Sequence, residues 1–287
     1  ENNMNTKSWN DLAELTMTMD SSYNNLLLVD ANNVAYRWLQ RVNYNNFASD
    51  YQRTIQSLSK SYEAGKTIVC FDFGRSYYRM NMYDEYKQNR KKPKEEDEAK
   101  KYEEFFGVLN ALPETLNEEV LKFRGIEADD IITYLVKHVA KSFDHTWIIS
   151  SDRDLYQLID DNVSIFNIFS RKEITKQTLK ENFDLSPDEY LLSRIIEGDK
   201  SDNIIGVEGI GPKRAQGLAK EHKTFETLLK SLPVKGRAKY IQNLNASRDV
   251  LERNEKLISL KKYNEDAIIS GKYGEENLDE LNSSYSA

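Results

Sequence analysis

Three short apolar runs in this chain each finish on an aspartate, and that pattern constrains the fold more than any other. Leu26-Leu27-Leu28-Val29 ends on Asp30, and Thr67-Ile68-Val69-Cys70-Phe71 ends on Asp72. Thr146-Trp147-Ile148-Ile149 passes through Ser150-Ser151 to Asp152, with Asp154 two residues on. Four or five apolar residues without alternation fit strands covered on both faces. Helical patterns intervene: Val34 to Gln40 after the first run, Tyr51 to Tyr62 before the second, and a helix carrying Leu155, Leu158 and Ile159 after the third. This order predicts an α/β fold with a parallel sheet. The C-terminal strand ends of such a sheet line the ligand crevice, so the aspartates should converge there.

More carboxylates follow the same logic. Gly125-Ile126-Glu127-Ala128-Asp129-Asp130 opens a helix that continues through Ile131, Leu135, Val136 and Val139. Positions three apart share a helical face, so Glu127 and Asp130 are expected to project together with Asp129 beside them. Asp199 and Asp202 repeat the spacing in Gly198-Asp199-Lys200-Ser201-Asp202-Asn203. One cysteine and three histidines without ligand spacing exclude an internal disulfide and His/Cys zinc chemistry, so a metal here is held by oxygen. The nine acids Asp30, Asp72, Glu127, Asp129, Asp130, Asp152, Asp154, Asp199 and Asp202 suit Mg²⁺ or Mn²⁺, two or more ions. A pair of such ions serves phosphodiester hydrolysis by binding the attacking and leaving oxygens.

The formal charge of −7, from 40 basic and 47 acidic residues, argues on its face against a nucleic-acid partner. Without the nine acids the remainder carries +2, so the acidity is that of the site. No apolar run approaches the roughly 20 residues of a membrane span.

Two segments supply positive charge. Tyr86-Lys87-Gln88-Asn89-Arg90-Lys91-Lys92-Pro93-Lys94 has five basic residues and no acid. Lys87 and Arg90, three apart, are expected on one helical face against a phosphate, with Tyr86 stacking on an unpaired base. Gly206-Val207-Glu208-Gly209-Ile210-Gly211-Pro212-Lys213-Arg214-Ala215 has the form of a helix-hairpin-helix. There Gly209 and Gly211 let backbone amides approach a phosphate, with Lys213 and Arg214 alongside. Lys235, Arg237 and Lys239, near Lys230, extend a candidate phosphate track.

These ordered motifs, from about Leu26 to Ile258, resemble the metal-dependent 5′ nucleases or flap endonucleases, which include the 5′-nuclease domain of bacterial DNA polymerase I. Phe47-Ala48-Ser49, Thr54-Ile55-Gln56-Ser57-Leu58 and Lys239 to Ser247 look most like the stand-alone form of T-odd bacteriophages. The resemblance implies a parallel-sheet nuclease core at 25–180, a helical arch at about 83–113 and a C-terminal helix-three-turn-helix region at 181–270. A peripheral arm at 1–24 and a fraying polar tail at 271–287 flank them. It implies that the nine acids hold two metal regions and that Lys87 and Arg90 meet the scissile phosphate. The expected partner is DNA with 5′ single-strand/duplex junctions, acted on by a monomer without membrane attachment in the cytoplasm, the host's if the chain is of phage origin. Two departures stand out: Ala31 follows Asp30 where the family usually has glycine, and Phe73-Gly74-Arg75 lacks the lysine often found after Asp72. The competing readings are a non-catalytic DNA-junction binder, a compact metal-dependent ribonuclease and an Asp-x-Asp phosphatase. Asn32 in place of the second aspartate speaks against the last.

Overall fold

The computed structural model describes residues 24–41, 43–90 and 95–285. All but the last residue of the N-terminal arm, and Pro93 with its basic neighbours at 91–94, lie outside them. Six strands form the main sheet: β1 (Asn25–Asp30), β2 (Ala64–Phe71), β3 (Glu119–Lys122), β4 (His145–Ile149), β5 (Val163–Asn167) and β6 (Lys172–Ile174), in the order β3-β2-β1-β4-β5-β6. All neighbours pair in parallel except β5 and β6. The chain builds outward from β1 through β2 to β3, then returns to place β4 on β1's other side. That reversal opens a crevice at the strand ends between β1 and β4, so Asp30 and the Ser150–Asp154 turn flank it.

Side-chain alternation sends the two faces of each strand into different cores. Leu26, Leu28, Ile68 and Ile148 pack with Ile131, Ile132 and Leu135 of a helix at Ala128–His138. Leu27, Val29, Val69 and Ile149 pack with Tyr51, Ile55, Phe105 and Leu109 from helices on the opposite face. In chain order the helices of this part are α1 (Ala31–Ala35), α2 (Phe47–Ser61), α3 (Tyr77–Met82), α4 (Glu96–Ala111), α5 (Ala128–His138) and α6 (Lys176–Phe183). The C-terminal region contains α7 (Pro187–Glu197), α8 (Pro212–His222), α9 (Phe225–Ser231), α10 (Lys239–Ala246), α11 (Arg248–Ile258), α12 (Asn264–Ile269) and α13 (Glu275–Tyr285). Much of it closes around Leu192, Ile195, Ile196, Leu218 and Leu244.

Several expectations need correction. The helix after β1 is short, passing at Tyr36–Trp38 into a 3-10 turn, and Asp154–Leu158 is also 3-10. Residues 84–89 form turns, so the stretch carrying Lys87 and Arg90 is not a helical face. Strand pairing does not stop after residue 180: Gly198–Asp199 and Ile204–Ile205 form a small antiparallel pair that holds the Asp199–Asp202 turn. The polar tail is helical at Glu275–Tyr285 and docks through the fully buried Leu281. Ala31 is fully buried, so its methyl group packs into the core.

Candidate metal and nucleic-acid site

Each strand-end acid is fixed by a local backbone reason. Asp30 caps α1, its Oδ1 accepting from the Asn33 amide at 3.2 Å, while its Oδ2 accepts from Ser150 Oγ at 2.7 Å. The Asp72 Oδ1 accepts from the Ala128 amide at 2.7 Å, joining the end of β2 to the start of α5. Asp152 accepts from the Asp154 amide at 2.8 Å. The carboxylates are therefore held facing one crevice at the cost of mutual repulsion. Burial and then Asp72 push Asp30 up to about 8, and burial and then Glu127 push Asp72 up to about 6. Burial and then Asp152 raise Asp154 to about 7 and hold Asp129 well above the usual carboxylate range. Asp152 is raised as well, chiefly by burial.

A second group lies where the sheet meets the helical region. Carboxylate oxygens of Asp154, Asp199 and Asp202 all lie within 4.8 Å of one another. Arg194 spans two of them, donating to Asp154 Oδ1 at 3.1 Å and Asp199 Oδ2 at 2.7 Å. Burial works against ionising Asp199, but Arg194 and the Ser201 hydrogen bond hold its carboxyl below the usual range. The donor set of both groups is entirely oxygen, and the raised carboxyls of Asp30, Asp72, Asp129, Asp152 and Asp154 mark a crowding of negative charge that a hard divalent cation relieves. The residues fit such an ion.

The sign of the resulting pH dependence follows directly. Asp30, Asp72 and Asp154 keep protons in the folded chain up to about 8, 6 and 7, whereas in the unfolded chain they ionise near 4. The folded state binds more protons across that window, so stability falls as pH rises through it. Glu127 and Asp199 shift the opposite way and matter only on the acid side of the window. Scanning calorimetry in EDTA should give a lower melting temperature at pH 8 than at pH 5, and Mg²⁺ should reverse most of the loss at pH 8. A melting temperature that rises with pH in EDTA would contradict this charge arrangement.

The acids at the start of α5 divide. Asp129 faces the strand-end aspartates, whereas Asp130 is fully buried on the other side and accepts a fork of hydrogen bonds from Arg79, at 2.7 and 2.9 Å. The expectation that Asp130 joins the metal acids is therefore not met: its oxygens are committed to a guanidinium. Arg79 also donates to the Leu257 carbonyl at 3.0 Å and lies 3.5 Å from Glu127. Burial opposes a charge on Glu127, but Lys87 and Arg79 overcome it and pull the carboxyl down to about 2.

Lys87, Arg90 and Tyr86 converge on two of the predicted acids. Lys87 Nζ lies 2.7 Å from Glu127 and 3.6 Å from Asp202, and Arg90 donates to Asp202 at 3.0 Å. Lys87 reaches inward from a left-handed backbone, φ +55°, pinned by its amide's hydrogen bond to the Asp202 carbonyl. Tyr86 is only 2% exposed, and its hydroxyl donates to Glu127 at 2.8 Å. It packs in the helical core and has no free face, so the base-stacking role expected of it fails.

The glycine hairpin leads into α8, with Pro212 in the first helical turn and Val207, Ile210 and Ala215 buried beneath. Gly209 adopts φ +76°, which a side chain would strain. Gly211 does not, and a Cβ added there meets nothing within 4 Å, so this glycine leaves open approach to the helix start. Arg214 donates to the Gly209 carbonyl at 2.6 Å and lies 4.6 Å from the Tyr240 ring centroid, which braces the turn. Lys213, Lys235, Arg237 and Lys239 are exposed and form no ion pair among the described residues.

Arg79, Arg194 and Ser150 were missed by sequence reasoning. Arg194 carried a signal: a lone charge inside Leu191-Leu192-Ser193-Arg194-Ile195-Ile196 needs a buried partner. Arg79 and Ser150 carried none.

A sheet crowned with carboxylates at its switch point, joined to a helical hairpin with a cationic rim, defines the class of metal-dependent nucleases. The model of the 5′-3′ exonuclease N-terminal, resolvase-like domain matches residues 25–184, and that of the 5′-3′ exonuclease C-terminal SAM fold matches residues 185–269. The chain belongs to the 5′-3′ exonuclease family. It is 39% identical over 281 residues to the flap endonuclease of Escherichia phage T5, covering 96% of each chain. It is 32% identical to a 5′-3′ exonuclease of Bacillus subtilis (strain 168), covering 72% of this chain and 71% of the relative. The phage T5 flap endonuclease, solved as a pseudo-enzyme-product complex with DNA and metal ions, superposes with a TM-score of 0.86 at 38% identity, covering 91% of this chain and 97% of that one. No helix among the described residues is long and apolar enough to cross a membrane.

Proposed function

We infer that this chain is a structure-specific 5′ nuclease that hydrolyses DNA phosphodiesters at 5′ flaps, junctions and 5′ ends, with Mg²⁺ or Mn²⁺ as the working ion. The observation that carries this reading is that Asp199 and Asp202 bring acids from the helical region into contact with strand-end Asp154. One continuous site thereby links the hairpin to the sheet. In this reading the nuclease core occupies 25–180 and the duplex-gripping region 181–270.

Asp30, Asp72, Asp129 and Asp152 would hold one divalent ion, and Asp154, Asp199 and Asp202 a second, with Glu127 at the edge of the first. Such ions polarise phosphoryl oxygens and lower the pKa of an attacking water. The chain's own residues prepare the phosphate. Lys87 and Arg90 exchange Glu127 and Asp202 for the scissile phosphate's oxygens and oppose the charge that develops there. That exchange also frees both carboxylates for the ions. Tyr86 holds the Glu127 carboxylate in place from the helical core. Asp130 works through Arg79 rather than by touching an ion.

An end-labelled 5′-flap duplex, incubated with and without Mg²⁺, tests the reading. Cleavage near the junction only with metal is expected; intact substrate in both lanes, with tight binding retained, would favour a junction binder. Two variants refine it. Lys87→Ala should lower the single-turnover rate at saturating enzyme by about 10²-fold, the scale of losing one group aimed at transition-state charge, with a smaller loss of affinity. A loss of affinity alone would make Lys87 part of a general phosphate patch. Gly211→Val with Lys213→Ala should keep the fold, because a Cβ at position 211 meets nothing within 4 Å, and its melting temperature checks this. It should also flatten the plot of log affinity against log salt by roughly one unit per lost phosphate contact. An unchanged slope would move the duplex grip to Lys235, Arg237 and Lys239.

A further inference from the structure

We propose that Phe73, flanked by Lys122 and Arg124, is a stacking and phosphate shelf for the single-stranded 5′ segment just beyond the scissile bond; the proposal rests on the nuclease reading above. Phe73 is 39% exposed although it directly follows Asp72. Its position is not loose, because its amide donates to the Ile126 carbonyl at 3.3 Å and its carbonyl accepts from the Gly125 amide at 2.8 Å. The backbone that carries the ring is thus tied to the Gly125-Ile126 turn just ahead of Glu127. Lys122 Nζ lies 5.0 Å and the Arg124 guanidinium 6.0 Å from its centroid. Arg75 is exposed two residues on, and none of these three cations forms an ion pair among the described residues. An exposed ring bordered by unpaired cations complements a chain that is alternately flat base and phosphate.

The direction of the strand follows from the sheet order. Asp152 and Asp154 follow β4, and Asp199 and Asp202, just ahead of the glycine hairpin, are clustered with Asp154, whereas Phe73 and Lys122 lie at the ends of β2 and β3, on the other side of β1. A substrate whose duplex is held at the hairpin and whose scissile phosphate lies over the acids meets the Phe73 shelf next. A stacked base there would also hold the leaving strand away from the crowded carboxylates. Lys122 and Arg124 supply the charge from the adjacent strand end.

The test compares single-turnover kcat/KM on a 5′-flap duplex and on the same nicked duplex without a flap, in Mg²⁺. In Phe73→Leu the ratio of flap to flapless kcat/KM should fall about tenfold, the scale of one stacked base, while Phe73→Trp should keep it. Abasic nucleotides beside the scissile bond in the flap should impose the same loss on the wild type and no further loss on Phe73→Leu. Equal losses on both substrates, or an abasic penalty that persists in the variant, would overturn the shelf. Binding of a labelled single-stranded oligonucleotide, read by anisotropy, separates the proposal from the parent reading. If the wild type cut neither duplex the nuclease reading would fail, yet the shelf would stand if Phe73→Leu weakened that binding about tenfold and Arg124→Gln flattened its salt dependence. Unchanged anisotropy titrations would overturn it. The exposed Phe73 side chain makes the leucine variant a fair test of contact rather than folding, and its melting temperature should match the wild type's.

Discussion

Asp152→Asn should lower the rate of flap cleavage on the order of 10²- to 10³-fold, the scale of removing one electrostatic group from a preorganised site. The exchange keeps the shape of the side chain and the acceptor for the Asp154 amide, so the turn survives while one metal-directed charge is lost. Melting of the metal-free protein should be unchanged or higher, because the removed charge only adds to the repulsion around Asp129 and Asp154. Single-turnover kinetics across a Mg²⁺ titration, with calorimetry in EDTA, checks both halves. A wild-type rate in the variant would remove Asp152 from the metal site; a collapse of the metal-free fold would make its role structural.

Arg79→Ala should be the most destabilising single change at the site. The guanidinium is 5% exposed and serves Asp130, Glu127 and the Leu257 carbonyl together. Removing one partner of a buried pair leaves an uncompensated charge and costs about 3–5 kcal/mol, roughly 10 °C in Tm for a chain of this size. The double variant Arg79→Met with Asp130→Asn removes both charges and should recover much of that loss. If Asp130→Asn alone lowered Mg²⁺ affinity as much as Asp129→Asn does, Asp130 would be a ligand after all. Isothermal titration on the three proteins distinguishes these outcomes.

The sequence made the crevice legible because its signal is local. An apolar run that stops at Asp30 or Asp72 reports a strand and its end in the same few residues. The glycine hairpin was legible for the same reason, since Gly209, Gly211 and Pro212 each have their own backbone role. Strands β3, β5 and β6 were missed because Glu119–Lys122, Val163–Asn167 and Lys172–Ile174 are short and interleave polar with apolar residues. Their pairing comes from the neighbouring strand rather than from their own pattern. The turn at Lys87 was misjudged as helix because its left-handed backbone is held by Asp202, 115 positions away in the chain. Arg79 and Asp130 were likewise opaque: an arginine in a short helix has no reading until the acid it forks is known. The tail at Glu275–Tyr285 looked polar enough to fray, but buried Leu281, the packing of Leu278 and Tyr285 and the hydrogen bond from Tyr134 to Asn282 dock it.

The Arg194 bridge between Asp154 and Asp199 ties a strand end to the turn that precedes the glycine hairpin. In the proposed reading it sets the length of a ruler, with a hairpin that would grip a duplex phosphate at one end and the acids that would cut at the other. On that reading, where the cut falls, counted in nucleotides from the junction, would follow from that distance. A looser tie would blur that register and, because the same guanidinium holds Asp154 and Asp199, would also slow each hydrolysis.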